Sequence, residues 1–175
     1  MLWKTRMQNN PLIFNSDIIA IEKKAEKSCL TLDEANLLRF DRNCLETRIQ
    51  SNCKLAFEKL ALRIISQKLG DAVFYQVDNG SSSKWNGAKK KKEGTLAGMP
   101  DSAMLLFNAK TGENKTIFCE FKGIRAESAI LSGEHFKKQQ ELHERLKAMG
   151  FEVVLTNNPV WFEKVFLERV WEFFN

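Results

Sequence analysis

The chain has 175 residues, 43% of them apolar and 28% charged, with a formal net charge of +5. That length suits one domain, and that apolar share is enough for a core. No apolar run approaches the length needed to cross a bilayer. The first residues, MLWKTRMQNNPLIF, lack the apolar stretch of a secretory signal, so an intracellular protein is expected.

Residues 1–14 read as irregular. Segments 16–28 and 31–40 read as two short helices, a small helical extension over residues 1–42. The second opens on Thr31 with Glu34 three residues later, the spacing of a capping box. From Asn43 the helical period strengthens. Leu45, Ile49, Cys53, Ala56, Leu60 and Ile64 recur on one face, and Gly70 stops the pattern, which predicts a long helix over about 44–69. Glu46 and Gln50, four apart, share one face near its start.

DAVFYQV reads as a strand. It runs into DNGSSSKWNGAKKKKEGTLAG, a stretch of about 20 residues, long for a connection inside a compact domain. Lys84, Lys89, Lys90, Lys91 and Lys92 fall inside it. By itself such a run reads as a solvated loop. DSAMLLF and KTIFCEF are two further strands, joined by the turn residues KTGEN as a hairpin. GIRAESAILSG reads as an irregular linker. A helix follows at about 134–149, then a buried strand, FEVVLT. The last helix, about 158–174, carries Val160, Trp161, Val165, Phe166, Val170 and Phe173 as its apolar positions. The order α, β, β, β, α, β, α predicts an α/β fold, a mixed sheet flanked by helices, over residues 43–175.

The four cysteines, Cys29, Cys44, Cys53 and Cys119, include no CxxC pair and read as reduced, mostly buried thiols. His135 and His143 lie on one predicted helix without the further ligands a zinc site needs.

Asp101, Glu120 and Lys122 stand out. If the two middle strands pair as a hairpin, the start of one meets the end of the other, and Asp101 comes beside Glu120. Residues i and i+2 of a strand share a face, so Glu120 and Lys122 project together while Phe121 turns into the packing. Two carboxylates on one face suit a hard divalent cation such as Mg²⁺, and the backbone carbonyl of Phe121 adds a third oxygen. A lysine beside that cation can hold or activate a water. Metal-bound water deprotonates more easily, and the metal neutralises charge on a phosphate. These are the parts needed to hydrolyse a phosphodiester. The plainer reading is a surface ion pair on an edge strand.

The pattern resembles the PD-(D/E)xK nuclease superfamily and, more narrowly, its virus-type replication-repair nuclease (VRR-Nuc) domain. The likeness spans about 44–160. It rests on Glu46 and Gln50 in the opening helix and on the Asn79–Gly80 turn. KKKKEGTLAGMPD supplies Gly94, Gly98, Pro100 and Asp101. Glu120 and Lys122 come next, then Gln139, Leu146 and Gly150. Ser102 departs from the pattern, which often has a large aliphatic residue there. The linker before Gln139 is also longer, and the first 40 residues lie outside the match.

The resemblance implies a PD-(D/E)xK core. Asp101 and Glu120 would be ligands of Mg²⁺ or Mn²⁺, with Lys122 at the attacking water. Glu46 would reach the metal directly or through water, or else serve as a first-turn acid favouring the helix dipole. Gln139, rather than its neighbour Gln140, would support the site. Lys84 and Lys89 to Lys92 would contact DNA phosphates, which position without reading sequence. Trp85 would stack on an unpaired base or sit in the core. No helix-turn-helix or zinc finger is present to read a sequence. The implied activity is that of a phage or bacterial endonuclease of repair or recombination, acting on branched DNA such as a junction or flap. Cutting a four-way junction symmetrically needs two active sites, hence a homodimer, for which Trp161, Phe166, Trp171 and Phe174 offer either a surface or core packing. A restriction-type enzyme on duplex DNA and a catalytically silent DNA-binding module are the competing expectations.

Overall fold

The computed structural model describes residues 10–41, 44–77, 98–125 and 127–175, and of residues 129 and 135 the backbone alone. Three helices come first: α1 (Asn15–Ala25), α2 (Leu32–Leu37) and α3 (Glu46–Ser66). Strands β1 (Gly70–Gln76), β2 (Ser102–Asn108) and β3 (Asn114–Phe121) follow. Then come α4 (Glu127–Leu131), α5 (Glu134–Ala148) and β4 (Glu152–Thr156). The chain ends on α6 (Pro159–Trp161), a π-helical turn (Phe162–Phe166) and α7 (Leu167–Glu172). Among the described residues no helix is long and apolar enough to cross a membrane.

The local signals act where the sequence places them. Thr31 Oγ1 accepts from the Glu34 amide at 3.3 Å, and the Glu34 carboxylate accepts from the Thr31 amide at 2.7 Å, closing a capping box at the start of α2. In the β2–β3 hairpin, Asn108 Oδ1 accepts from the amides of Lys110 and Thr111, an Asx turn completed by Gly112 at φ +74°. Three expectations need correction. GIRAESAILSG is not wholly irregular but contains α4, five residues long and anchored by buried Ile130, too short to show a period. On α3 the buried stripe is Ile49, Cys53, Phe57, Ala61 and Ile64, and Leu45 is the exposed N-cap. In the last helix the π turn inserts an extra residue and rotates the face. Phe162, Phe166, Leu167, Val170 and Phe174 are therefore buried, while Val165 is exposed.

The four strands form one mixed sheet in the order β1-β2-β3-β4. β1 with β2 and β2 with β3 are antiparallel; β3 with β4 is parallel, and α5 supplies the crossover that parallel pairing requires. Strand alternation divides the sheet. Met104, Leu106, Ile117, Cys119 and Phe121 point into the core formed with α3 and the terminal helix. Phe121 meets the rings of Phe74 and Phe162 there, at 6.4 and 6.0 Å between centroids. Cys44, Cys53 and Cys119 are buried, Cys29 is exposed, and all four are free thiols. Val73, Tyr75, Leu105 and Phe107, on β1 and β2, are exposed. Ile13, Ile18, Ile21, Leu37 and Phe40, from the segment preceding α3, belong to the same apolar cluster as α3 and the strands.

That segment is tied down by buried asparagines just after β4. Asn157 Oδ1 accepts from the Ile13 amide at 2.6 Å and Asn157 Nδ2 donates to the Ile13 carbonyl at 2.7 Å. Thr156 and the Asn157 amide both donate to the Pro11 carbonyl, and Asn158 Nδ2 donates to that of Asn10. Asn158 Oδ1 also caps the last helix by accepting from the Trp161 amide at 3.0 Å. Asn157→Ala removes both partners of a buried peptide. It is expected to lower the unfolding free energy by about 2–4 kcal/mol in a urea titration. A loss under about 1 kcal/mol would show that the bonds to Pro11 and Asn10, with the apolar contacts, hold the segment without it.

Candidate active site

The hairpin register sets the geometry. Ser102 pairs with Cys119, so Asp101, one residue before β2, stands across from Glu120. Asp101 is fastened from both sides. Its carbonyl accepts from the Val77 amide at 2.8 Å, and its carboxylate Oδ2 accepts from the Phe121 amide at 2.8 Å. The Phe121 peptide thus borders the site while its ring lies in the core.

Glu120 is 1% exposed and lies on β3, an interior strand, so it is not part of a surface pair at a sheet edge. Its Oε1 accepts from Lys122 Nζ and, at 2.7 Å, from Gln139 Nε2. Gln139 Oε1 in turn accepts from Lys122 Nζ at 3.1 Å, closing a triangle of three side chains. The Lys122 backbone is held by its amide bond to the Thr156 carbonyl on β4. Gln139 is buried on α5 and Gln140 is exposed, so the geometry singles out Gln139 of the two. Gly98, at φ +86°, brings the lead into Pro100–Asp101 against Gln139. A Cβ on Gly98 would sit 3.5 Å from the Gln139 Cα, and the positive φ disfavours any side chain.

Glu46 reaches the same place from the first turn of α3. As an acid in the first turn it also faces the positive end of the helix dipole. Burial, then the Asp101 carboxylate, raise its pKa, while Lys122 and Arg125 oppose the rise. Gly123 permits the approach. A Cβ there would lie 2.6 Å from the Cys44 carbonyl oxygen and 3.3 Å from the Glu46 nitrogen, where the Ile124 amide bonds the Cys44 carbonyl. One turn along α3, Gln50 Nε2 donates to the buried Ser102 Oγ at 2.9 Å. Ser102, polar where an aliphatic residue was expected, is therefore the acceptor that ties α3 to the start of β2. Its oddity in the sequence was the available signal.

The Asp101 carboxylate raises the pKa of both Glu46 and Glu120. Burial, then Asp101, then Glu46 push Glu120 up to about 7, against the Lys122 ammonium. Burial pushes Asp101 up, against its bond from Phe121 and the charge of Lys122. The second oxygen of Glu120, Oε2, is buried and has no hydrogen-bond partner. An orphaned anionic oxygen beside a second carboxylate fits a hard cation. Among the described residues no group of three or more His, Cys, Asp or Glu stands together as a metal cage. A hard cation at Asp101 and Glu120 would have to take most of its ligands from water.

Lys84, Trp85, Lys89, Lys90, Lys91 and Lys92, with Asn79, Gly80 and Gly94, lie outside the described residues. Of the four terminal aromatics, Phe166 and Phe174 are buried in this chain's own core. Trp161 and Trp171 are half-buried against it, Trp161 stacked on Phe166. Packing, rather than a free dimer surface, accounts for the first two. His143, buried on α5, carried no weight in the sequence beyond the absence of zinc partners.

A carboxylic acid that holds its proton more tightly when folded makes stability fall as pH rises from about 4.5 to about 7. In EDTA, the chain is expected to lose about 3 kcal/mol of unfolding free energy across that window through Glu120. His143, whose pKa burial and Lys122 lower, works in the opposite sense. Comparison with Glu120→Gln isolates the carboxyl: the variant's stability should be flatter with pH, and equal slopes would refute the burial cost. Gly123→Ala should displace the start of α3 and cost about 1–3 kcal/mol in the same titration. No family model, curated protein or solved structure matches the chain, so its function has to be read from the geometry of Asp101, Glu120, Lys122, Gln139 and Glu46.

Proposed function

We propose that this chain is a metal-dependent DNA endonuclease with a PD-(D/E)xK core of the VRR-Nuc type. The observation that carries the reading is the buried Glu120, opposite Asp101, with one oxygen engaged by Lys122 and Gln139 and the other unpartnered. A structural ion pair would satisfy both oxygens. Asp101 and Glu120 would hold Mg²⁺ or Mn²⁺, with the Phe121 carbonyl as a further oxygen donor and Glu46 reaching the ion through water. Bound there, the ion would supply charge neutralisation at a phosphate and a more acidic water.

The chain's own residues do the rest. Lys122, 15% exposed, keeps its ammonium at the site and orients the attacking water or the phosphate oxygen. Gln139 fixes the direction of that ammonium. Gln50 and Ser102 hold α3, and with it Glu46, in register with Asp101. Phosphodiester chemistry needs little from the protein beyond such positioning and charge. The chain leaves β1 at Val77 and returns at Gly98, both close to Asp101, and the basic stretch lies between them in the sequence. Phosphate contacts from those lysines would bring DNA to the site without sequence preference. The substrate we favour is branched DNA, and symmetric cutting of a junction would require two copies.

The test is cleavage of labelled four-way junction, flap and linear duplex DNA with Mg²⁺, Mn²⁺ or EDTA. Cutting should require metal and favour a branched substrate. Lys122→Ala should slow it at least about 100-fold. Asp101→Ala should abolish it while leaving DNA binding intact. A defined pattern on linear duplex would favour a restriction-type enzyme, and tight binding without cleavage in Mn²⁺ a silent binding module. Alanines at Lys89 to Lys92 should weaken binding to every substrate and flatten its salt dependence. Unchanged binding would remove the basic stretch from the interface.

A further inference from the structure

The buried face of α5 is formed by Phe136, Gln139, Leu142, His143 and Leu146. Gln139 and His143 are one turn apart and so lie one above the other on that face. Gln139 uses both ends of its amide on Lys122 and Glu120. His143 is 6% exposed, and its Nε2 is buried with no hydrogen-bond partner. Three buried side-chain polar atoms among the described residues are unpartnered, and two of them are Glu120 Oε2 and His143 Nε2. Glu120 touches Lys122 directly, and His143 lies one turn along α5 from Gln139, which bonds the same ammonium. An orphaned ring nitrogen in a native interior is costly and calls for a partner that arrives in another state.

Lys122 can supply it. An ammonium has three N–H donors, and two of them are directed at Glu120 Oε1 and Gln139 Oε1. A divalent cation on the bare Oε2 of Glu120 would repel the ammonium held at Oε1. Lys122 would then need an uncharged acceptor on the same side. His143 is held in its neutral form by burial and by Lys122 and Lys147, with Glu144 opposing. A neutral imidazole nitrogen is such an acceptor.

We propose that His143 is a positioning residue whose Nε2 receives the Lys122 ammonium when a divalent cation takes Glu120. The inference rests on the metal reading of the site. Gln139 stays bonded to Lys122 in both arrangements and acts as the pivot. Without His143 the displaced ammonium would remain opposed to the cation, and metal affinity would fall.

The experiment is titration with Mn²⁺ at pH 8, without DNA, followed by calorimetry on wild type, Glu120→Gln, His143→Leu and His143→Gln. Wild type should bind one ion or more and Glu120→Gln should lose most of that binding. His143→Leu should weaken it about tenfold or more. His143→Gln, which keeps an acceptor at similar reach, should recover most of the loss. If wild type does not bind, or Glu120→Gln binds equally well, the metal reading fails and this inference fails with it. If wild type binds and His143→Leu binds as tightly, only the role of His143 falls. Equal losses in the Leu and Gln variants would also overturn it, since shape rather than the acceptor would matter. Should the leucine variant fail to fold, ¹⁵N spectra of the wild-type imidazole with and without Mg²⁺ decide. The Nε2 resonance is expected to move on addition of metal, and an unmoved resonance overturns the proposal.

Discussion

Placing the carboxylate of Glu120 inside the protein costs free energy, and the surroundings offset that cost on one oxygen only. Lys122 and Gln139 converge on Oε1, while Oε2 is left bare beside the Asp101 carboxylate. The half-satisfied carboxylate depends on the rest of the fold for its position. β3 has to be an interior strand, so that Glu120 is covered. β2 has to pair in the register that sets Asp101 across from it. α5 has to cross over the sheet, so that Gln139 arrives from above. A slip of one residue in the β2–β3 pairing would turn Asp101 to the other face and separate the carboxylates.

The alternation that builds the core also builds the site. Ile117, Cys119 and Phe121 take one face of β3 and join the apolar cluster with α3 and the terminal helix. Glu120, between two of them, takes the other. Phe121 links the two sides: its ring packs between Phe74 and Phe162, and its amide grips Asp101. Rigid packing of that ring therefore holds the Asp101 carboxylate in place. Gly123 then lets the chain leave β3 in contact with the start of α3, which carries Glu46 to the same end of the sheet. Asn157 reinforces this region. It holds Ile13 from the first described segment and reaches the Gly123 carbonyl at 3.4 Å, so one buried amide braces both the N-terminal segment and the exit from the site.

Three carboxylates with raised proton affinity, Glu46, Asp101 and Glu120, are expensive in a protein whose net stability is small. Their coincidence beside a lysine, under a helix that contributes an amide, is the physical ground for the proposed phosphodiester chemistry. The same ground explains why the lysine matters in either state. Without metal it offsets the buried charge; with metal it would be held by Gln139 and His143 and keep its third N–H for the water or the substrate.

Much of this was legible in the chain itself. The Thr31–Glu34 cap, the two-residue period of β2 and β3, and the hairpin turn between them are encoded within a few residues, where sterics and local hydrogen bonds decide the outcome. The juxtaposition of Asp101 with Glu120 followed from those elements alone, because a hairpin leaves little freedom in how its ends meet. The sequence favoured Gln139 over Gln140 only through the resemblance, since both suit a helix surface until the sheet beneath is placed. It did not reveal α4, the rotated face after the π turn, or the partner of Ser102. It was silent on His143, whose role depends on which side of α5 is covered. Gln50 meets Ser102 across 52 positions, Gln139 meets Glu120 across 19, and Asn157 meets Ile13 across 144. Short-range patterns determined the elements and which residues could carry the chemistry. Only tertiary packing decided which carboxylate is buried, which of its oxygens is left bare, and which distant amides hold it, because burial is a property of what covers a residue and no local pattern contains that.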